Sequence, residues 1–150
     1  MSESNKAHIS TDEADIERRI HNRLQSKLML SAIAGGNLEY VQGLLDSGAD
    51  SNAVDKNGTS GIILASVNGH DGLLKLLLDR GADIDAKGYE GMTALMHASR
   101  FTRSTCVAML LERGADATLT DDKGKTALVY CISKDIRRML EDALLDHVLK

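Results

Sequence analysis

The sequence repeats itself every 33 residues, and this period restricts the possible fold more than any other feature. The tripeptide Gly-Ala-Asp begins at Gly48, Gly81 and Gly114, so both spacings are 33 residues. A second set of glycines keeps the same spacing: Gly58, Gly91 and Gly124. Two independent markers in one register indicate similar structural units, which must stack on one another to bury a common core.

Each unit carries the apolar pattern of two helices. Val41, Leu44 and Leu45 have the i, i+3, i+4 spacing of one buried helix face. The pattern returns in each later unit: Leu74, Leu77 and Leu78, then Val107, Leu110 and Leu111, then Leu140, Ala143 and Leu144. A shorter helix precedes each of these, marked by Met29, Ile62, Leu95 and Leu128. We therefore expect an all-α chain of helix–turn–helix units joined by polar turns.

Residues typical of helix starts and of turns occur at the places that this pattern requires. Ser60, Thr93 and Thr126 stand where the first helix of a unit begins, as N-caps do. Glycines that suit a left-handed turn lie between the two helices and after the second: Gly36 and Gly69, then Gly48, Gly81 and Gly114.

The second unit, NGTSGIILASVNGHDGLLKLLLDRGADIDA over residues 57–86, resembles an ankyrin repeat. The third unit supports the resemblance with EGMTALMHAS and MLLERGADA. The resemblance covers about residues 25–150 and implies an ankyrin-repeat solenoid with an N-terminal capping helix. Its four repeats would span about residues 25–57, 58–90, 91–123 and 124–150. The chain departs from the family's T-P-L-H motif, with Leu28, Gly61, Ala94 and Ala127 at the proline position and Leu30, Ile63, Met96 and Val129 at the histidine position.

The two ends of the chain are expected to differ from the repeats. Ser10-Thr11-Asp12-Glu13 resembles a capping box and is followed by Ile16, Ile20 and Leu24 at i, i+4 spacing. We expect residues 10–24 to form a helix that covers the open face of the first repeat, and residues 1–9 to be a disordered tail. The alternative is a detachable segment that binds a partner. At the other end, one apolar stripe of the last helix should pack inward: Ile136, Met139, Leu140, Ala143, Leu144 and Val148.

Composition excludes several classes of partner. The formal net charge is −4 and the pI is near 5.7, so no surplus of Lys and Arg is present to bind nucleic acid or an anionic membrane. No signal peptide and no membrane span is visible, which favours a cytoplasmic protein, also nuclear if the source is eukaryotic. We expect a monomer when no partner is bound.

The sequence shows no catalytic motif, and we expect no cofactor and no metal site. His97 and Cys131 lie one repeat apart and invite the idea of a Cys/His nucleophile. Cys131, however, occupies a buried small-residue position, where a thiol stays protonated. Cys106 occupies the position of Tyr40 and Leu73, which favours packing over chemistry. The prediction is a protein that is not an enzyme.

The resemblance places partner contacts in the polar turns and at the exposed ends of the first helices. The centre of the predicted patch is Tyr89, Met92, Arg100 and Phe101, because aromatic, Met and Arg side chains are enriched at binding hot spots. The other predicted contact residues are Lys56, Asn57, Thr59, Val67, Asn68, Lys87, Glu90 and Lys123, of which Lys56, Asn57, Lys87 and Lys123 would form a polar rim. The alternative for Phe101 is packing onto its own helix.

Beside this patch, Thr102-Arg103 replaces the glycine turn of the first two units. A threonine accepts a left-handed backbone poorly, so this loop is expected to depart from the repeat. These features favour a non-catalytic protein–protein interaction module: an adaptor, scaffold or inhibitor. The alternatives are a chaperone-like assembly factor for one client, a self-associating structural protein or an enzyme.

Overall fold

The structure, a computed structural model, describes residues 12–150 and consists of four consecutive helix pairs. The pairs follow the 33-residue period of the sequence. Their bounds are α1 Glu13–Ala34 and α2 Leu38–Asp46, α3 Gly61–Asn68 and α4 Asp71–Asp79, α5 Ala94–Arg100 and α6 Ser104–Glu112, and α7 Ala127–Tyr130 and α8 Lys134–Leu149. Over these residues the chain forms no β-strand, only one isolated bridge between Val54 and Ser60. The expected all-α solenoid is confirmed.

The helices stack in two rows, and one apolar core runs between them. In the row of first helices, α3 packs between α1 and α5, and α5 packs on α7. In the row of second helices, α4 packs on α2 and α6, and α6 packs on α8. The residues that the period marked as core are buried, among them Ile62, Leu74, Leu95, Leu110 and Leu140. Burial of aliphatic side chains between successive units is therefore the main source of stability.

Glycines make the turns as predicted. Gly36 and Gly69 follow first helices with φ of 79° and 70°, and the second helices end before glycines with φ of 97°, 85° and 89°: Gly48, Gly81 and Gly114. The predicted N-caps differ among themselves. Thr93 accepts a hydrogen bond from the Met96 N–H at 3.3 Å, whereas the Ser60 hydroxyl is buried without a partner among residues 12–150.

The N-terminal helix differs from the expected arrangement. The boundary predicted at residues 24–25 lies inside α1, which runs without interruption from Glu13 to Ala34. Only its last part packs on the repeats, through Met29, Leu30 and Ile33. The expected capping face is exposed instead, because it points away from the stack: Ile16, Ile20 and Leu24. Ser10, Thr11 and the tail predicted at residues 1–9 lie outside the described residues.

The last unit is open on its outer side. Val129 stands at the position of Ile63 and Met96, which are buried by the following unit, yet Val129 is exposed. Ile132 lies beside it with 82% of its surface exposed. The last helix buries Ile136 and Leu140 as predicted, while Val148 at the end of the predicted stripe is exposed and does not pack inward.

Candidate protein-binding surface

Two polar turns in the predicted surface are shaped by an aspartate. Asp55 accepts hydrogen bonds from the backbone N–H groups of Asn57 at 2.8 Å and Thr59 at 3.0 Å. Two units later, Asp121 accepts from Lys123 and Lys125, both at 2.9 Å. The Tyr130 hydroxyl also donates to Asp121, and this bond, followed by the backbone donors, holds the pKa of the carboxyl below its ordinary value. Both turns are therefore fixed before any partner arrives.

The middle turn is built differently, because Gly88 stands where the other two have an aspartate. The backbone bond that closes the turn is the same in all three, with the Gly88 N–H donating to the Met92 carbonyl at 2.9 Å. No side-chain carboxylate of residues 12–150, however, accepts from the 3-10 turn over Tyr89–Gly91 in the way that Asp55 and Asp121 do. A Cβ at position 88 would lie 2.9 Å from the terminal methyl group of Ile63, so a larger residue here would require the Ile63 side chain to move. The turn leaves Tyr89 66% exposed at its tip.

Hydrogen bonds also join neighbouring turns. The Glu90 carbonyl accepts from the Asp122 N–H at 3.0 Å, and the Lys87 ammonium donates to the Thr120 carbonyl at 2.8 Å. Lys87 was predicted as part of a polar rim; the structure shows that its charged group braces two turns. These bonds connect the middle and last turns, and the first turn packs beside them, since a Cβ at position 88 would lie 3.7 Å from the Thr59 Cα. We call the three turns together the turn surface: residues 54–59, 87–92 and 120–125.

An aromatic group lies next to the turn surface, at the end of α5. The Phe101 ring is parallel to the His97 ring, with 6.5 Å between centroids and 7° between planes. The Arg100 guanidinium lies 5.7 Å from the Phe101 centroid. Phe101 is nevertheless 45% exposed. It therefore does both things that the sequence left open: it stacks on its own helix and still presents part of its ring to solvent.

His97 is the half-buried member of this group. Its pKa is lowered from 6.5, first by burial and second by the nearby charge of Arg100. Its Nδ1 atom is buried and has no hydrogen-bond partner in the part of the chain that the structure describes. Burial therefore favours the uncharged imidazole, whose ring stacks on that of Phe101.

Sequence reasoning missed Tyr130. The Lys125 ammonium lies 5.9 Å from the centroid of the Tyr130 ring. The pKa of Tyr130 is raised, first by its hydrogen bond to Asp121, and Arg100 is close enough to lower it slightly. The repeat register contained the missing signal, since Tyr130 is His97 advanced by one 33-residue period. We call the set His97, Arg100, Phe101, Lys125 and Tyr130 the aromatic cluster.

The structure divides the predicted contact residues into three groups. Met92 is only 3% exposed and belongs to the core, so its predicted place at the centre of the patch is wrong. Its apolar side chain gains more by packing than the polar side chains at the same position in the other units, Thr59 and Lys125. Thr59 and Val67 are half-buried. The remaining predicted residues are exposed: Lys56, Asn57, Asn68, Lys87, Tyr89, Glu90, Arg100, Phe101 and Lys123.

The loop after α5 does not depart from the repeat as expected. Thr102 takes φ = 55°, in the left-handed region occupied by Gly36 and Gly69. The backbone bonds are also those of the other units, with the Arg103 N–H donating to the Ala98 carbonyl at 2.8 Å. Hydrogen bonding and packing on both sides impose the turn, and Thr102 bears the strain.

Nothing in residues 12–150 assembles a reactive centre around the two cysteines. Burial, followed by a hydrogen bond to Asp71, raises the pKa of the Cys106 thiol to about 12. Burial also raises the pKa of Cys131, whose thiol donates to the Ser133 carbonyl at 3.0 Å. Within the same residues no group of three or more His, Cys, Asp or Glu side chains could hold a metal ion, and no helix is long and apolar enough to cross a membrane.

Comparison with known families agrees with this architecture. A sequence model for ankyrin repeats, in three copies, matches residues 28–121 and 90–146. The chain belongs to the ankyrin-repeat family. Members of this family are in general protein–protein interaction modules and not enzymes. A search of curated proteins found no match.

Proposed function

We propose that this ankyrin-repeat protein is a non-catalytic adaptor, scaffold or inhibitor that binds one partner protein through the turn surface and the aromatic cluster. The observation that carries the proposal is the exposure of Phe101 with Arg100 beside it. Aromatic and arginine side chains provide most of the energy at protein interfaces because they bury a large area at a small entropic cost. Tyr89 extends this centre, and Lys56, Asn57 and Lys123 form its polar rim.

The rigidity of the surface supports the same proposal. The first and last turns are fixed by Asp55 and Asp121, and the bonds from Lys87 and Asp122 join the middle turn to the last. A surface that is already ordered loses little conformational entropy on binding, so fewer contacts are needed for a given affinity. Free thiols at Cys106 and Cys131 are consistent with a reducing compartment, and we propose a cytoplasmic location.

The test is recovery of a partner with the wild type and with the Phe101→Ala variant. Partners retained by the wild type on an affinity column are identified by mass spectrometry, purified and titrated against both proteins. Phe101→Ala should weaken binding by about 2 kcal/mol, the loss typical of a hot-spot residue. The melting curve should barely change, because the ring is half exposed.

Tyr40→Ala is the matched control. Tyr40 is also 45% exposed, but it lies on α2, away from the turn surface. This change should leave the affinity unaltered. A partner that binds Phe101→Ala as tightly as the wild type, or that loses affinity equally with Tyr40→Ala, would exclude the proposed site.

A further inference from the structure

The sequence contains the dipeptide Asn-Gly twice, at Asn57-Gly58 and at Asn68-Gly69. Asparagine in this dipeptide is prone to lose its side-chain amide, because glycine has no Cβ to hinder an attack by its backbone nitrogen. Both asparagines are exposed to solvent. A difference in reactivity between them must therefore come from the backbone and the hydrogen bonds around each dipeptide.

The reaction needs only the two residues and water. The glycine backbone nitrogen gives up its proton and forms a bond to Cγ of the asparagine, while the bond from Cγ to Nδ2 breaks and the amide leaves as ammonia. Water then opens the resulting succinimide ring at either of its two carbonyl groups. The product is aspartate or isoaspartate, so one neutral amide is exchanged for one carboxylate.

The surroundings of Asn57 leave this reaction open. Its side-chain amide has no hydrogen-bond partner among residues 12–150, and its backbone N–H donates to the Asp55 carboxylate at 2.8 Å. The attacking nitrogen of Gly58 donates to the Asp55 carbonyl at 3.0 Å, and this bond must break first. The dipeptide lies in a turn outside every helix, and a Cβ at position 58 would have nothing within 4 Å, so the ring can form without a collision.

The surroundings of Asn68 oppose the same reaction. Asn68 is the last residue of α3, and its Nδ2, the atom that has to leave, donates to the Leu64 carbonyl at 2.8 Å. The attacking nitrogen of Gly69 donates to the Ser66 carbonyl at 3.3 Å. A Cβ at position 69 would lie 3.1 Å from the Arg103 side chain, which therefore covers the dipeptide. Reaction here requires the end of α3 to unwind and Arg103 to move.

We propose that Asn57 is a site of spontaneous deamidation in the folded protein, and that the fold protects Asn68 from the same modification. Opening one exposed turn costs less free energy than unwinding a helix end that packs on the next unit. The modification itself does not depend on the proposed function.

The modification changes the first turn of the turn surface in two ways. A carboxylate replaces the neutral amide beside Lys56, so the rim loses positive charge. Isoaspartate also lengthens the backbone by one methylene between the two N–H groups that Asp55 holds, those of Asn57 and Thr59. A weaker binding of the partner by the aged protein follows, and this consequence rests on the proposed function.

The first experiment follows both sites in the intact protein during storage at neutral pH. The tryptic peptide 57–75 contains both asparagines, and its fragmentation by mass spectrometry shows which of them has acquired the mass of aspartate or isoaspartate. Asn57 should react at least about tenfold faster than Asn68, because more bonds protect the second site. Equal rates in the folded protein, or a faster reaction at Asn68, would overturn the proposal.

Storage of the same protein in urea is the matched control. Unfolding removes the helix end and the turn alike, so the two asparagines should then react at similar rates. An Asn57 that reacts in urea but stays intact in the folded protein would show that the turn protects it, and would also overturn the proposal.

The second experiment tests the consequence for binding. The partner recovered with the fresh wild type is titrated against aged wild type and against aged Asn57→Gln, whose longer side chain forms the corresponding ring far more slowly. Affinity should fall on ageing of the wild type only. Modified Asn57 with an unchanged affinity would remove this residue from the rim of the proposed interface, whereas the site of deamidation is decided by the mass spectra alone.

Discussion

At the scale of single residues, Thr102 holds a backbone conformation that glycine holds in the other units. A left-handed conformation costs a non-glycine residue about 1–2 kcal/mol. Glycine avoids this cost, but it loses more conformational entropy on folding, which offsets part of the gain. Thr102→Gly should therefore raise the free energy of unfolding by about 1 kcal/mol, measured by urea denaturation. Thr105→Gly, at an exposed helical position of α6, is the control and should lower it. Destabilisation by Thr102→Gly would show that the threonine side chain makes a compensating contact.

His97 gives the stability of the protein a dependence on pH. Its pKa in the folded state lies below 6.5, so below about pH 6.5 the unfolded chain takes up a proton that the folded protein does not. The contribution of His97 to the free energy of unfolding is therefore fully present above this pH. It decreases as the pH falls, until the imidazole of the folded protein is also protonated. The melting temperature should drop between pH 7.5 and pH 5.5, and it should drop less in His97→Gln. An equal drop in both proteins would assign the effect to other groups.

At the scale of elements, α1 combines two parts with different roles. The part from Glu13 to Leu24 makes no buried contact, whereas Met29, Leu30 and Ile33 are part of the core. A chain that begins at Gln25 should therefore keep its free energy of unfolding within about 0.5 kcal/mol, as expected for surface changes. The helical signal in its far-UV circular dichroism should decrease in proportion to the number of helical residues removed.

A chain that begins at Ser31 is the control for this prediction. It lacks Met29 and Leu30, and it should be strongly destabilised because the first repeat loses its apolar contacts with α3. Equal destabilisation of both shortened chains would mean that residues 13–24 cover the repeats after all.

The comparison of elements also shows what the sequence could predict. The 33-residue period located the helix pairs and turn glycines, because these features recur and each copy supports the others. It did not reveal that α1 is continuous, although no Gly or Pro interrupts residues 24–29, because the boundary was drawn from the repeat and not from the helix pattern. Met92 was misplaced because its equivalents in the other units, Thr59 and Lys125, are polar, so the register gave no sign that this position is buried in the third unit. Tyr130 was missed although the register places it one period after His97, because only the structure shows that its hydroxyl reaches the Asp121 carboxylate.

At the scale of the whole molecule, stability should vary along the stack. Each unit contacts only its neighbours, so an inner unit is held from two sides and the last unit from one. Leu77 in α4 and Leu140 in α8 are both fully buried. Leu77→Ala should cost about 2–5 kcal/mol and unfold the protein in one transition, as large-to-small core substitutions do. Leu140→Ala should open α7 and α8 while the first three units stay folded.

Hydrogen exchange measured by mass spectrometry distinguishes these outcomes. In Leu140→Ala, faster exchange should be confined to peptides from residues 127–150, since local opening involves the least supported unit. Uniform acceleration throughout the chain would show that the four units unfold as one cooperative block.

The uncovered outer side of the last unit has a consequence for how such a chain can lengthen. Val129 and Ile132 are exposed at the end of the stack. In the inner units, the residues at the same positions pack against the following unit. Because each unit packs on its neighbours through equivalent helices, one more 33-residue copy inserted at the turn 114–124 would meet similar packing surfaces on both sides. Duplication of a gene segment can thus enlarge the binding area stepwise, without inventing a new core.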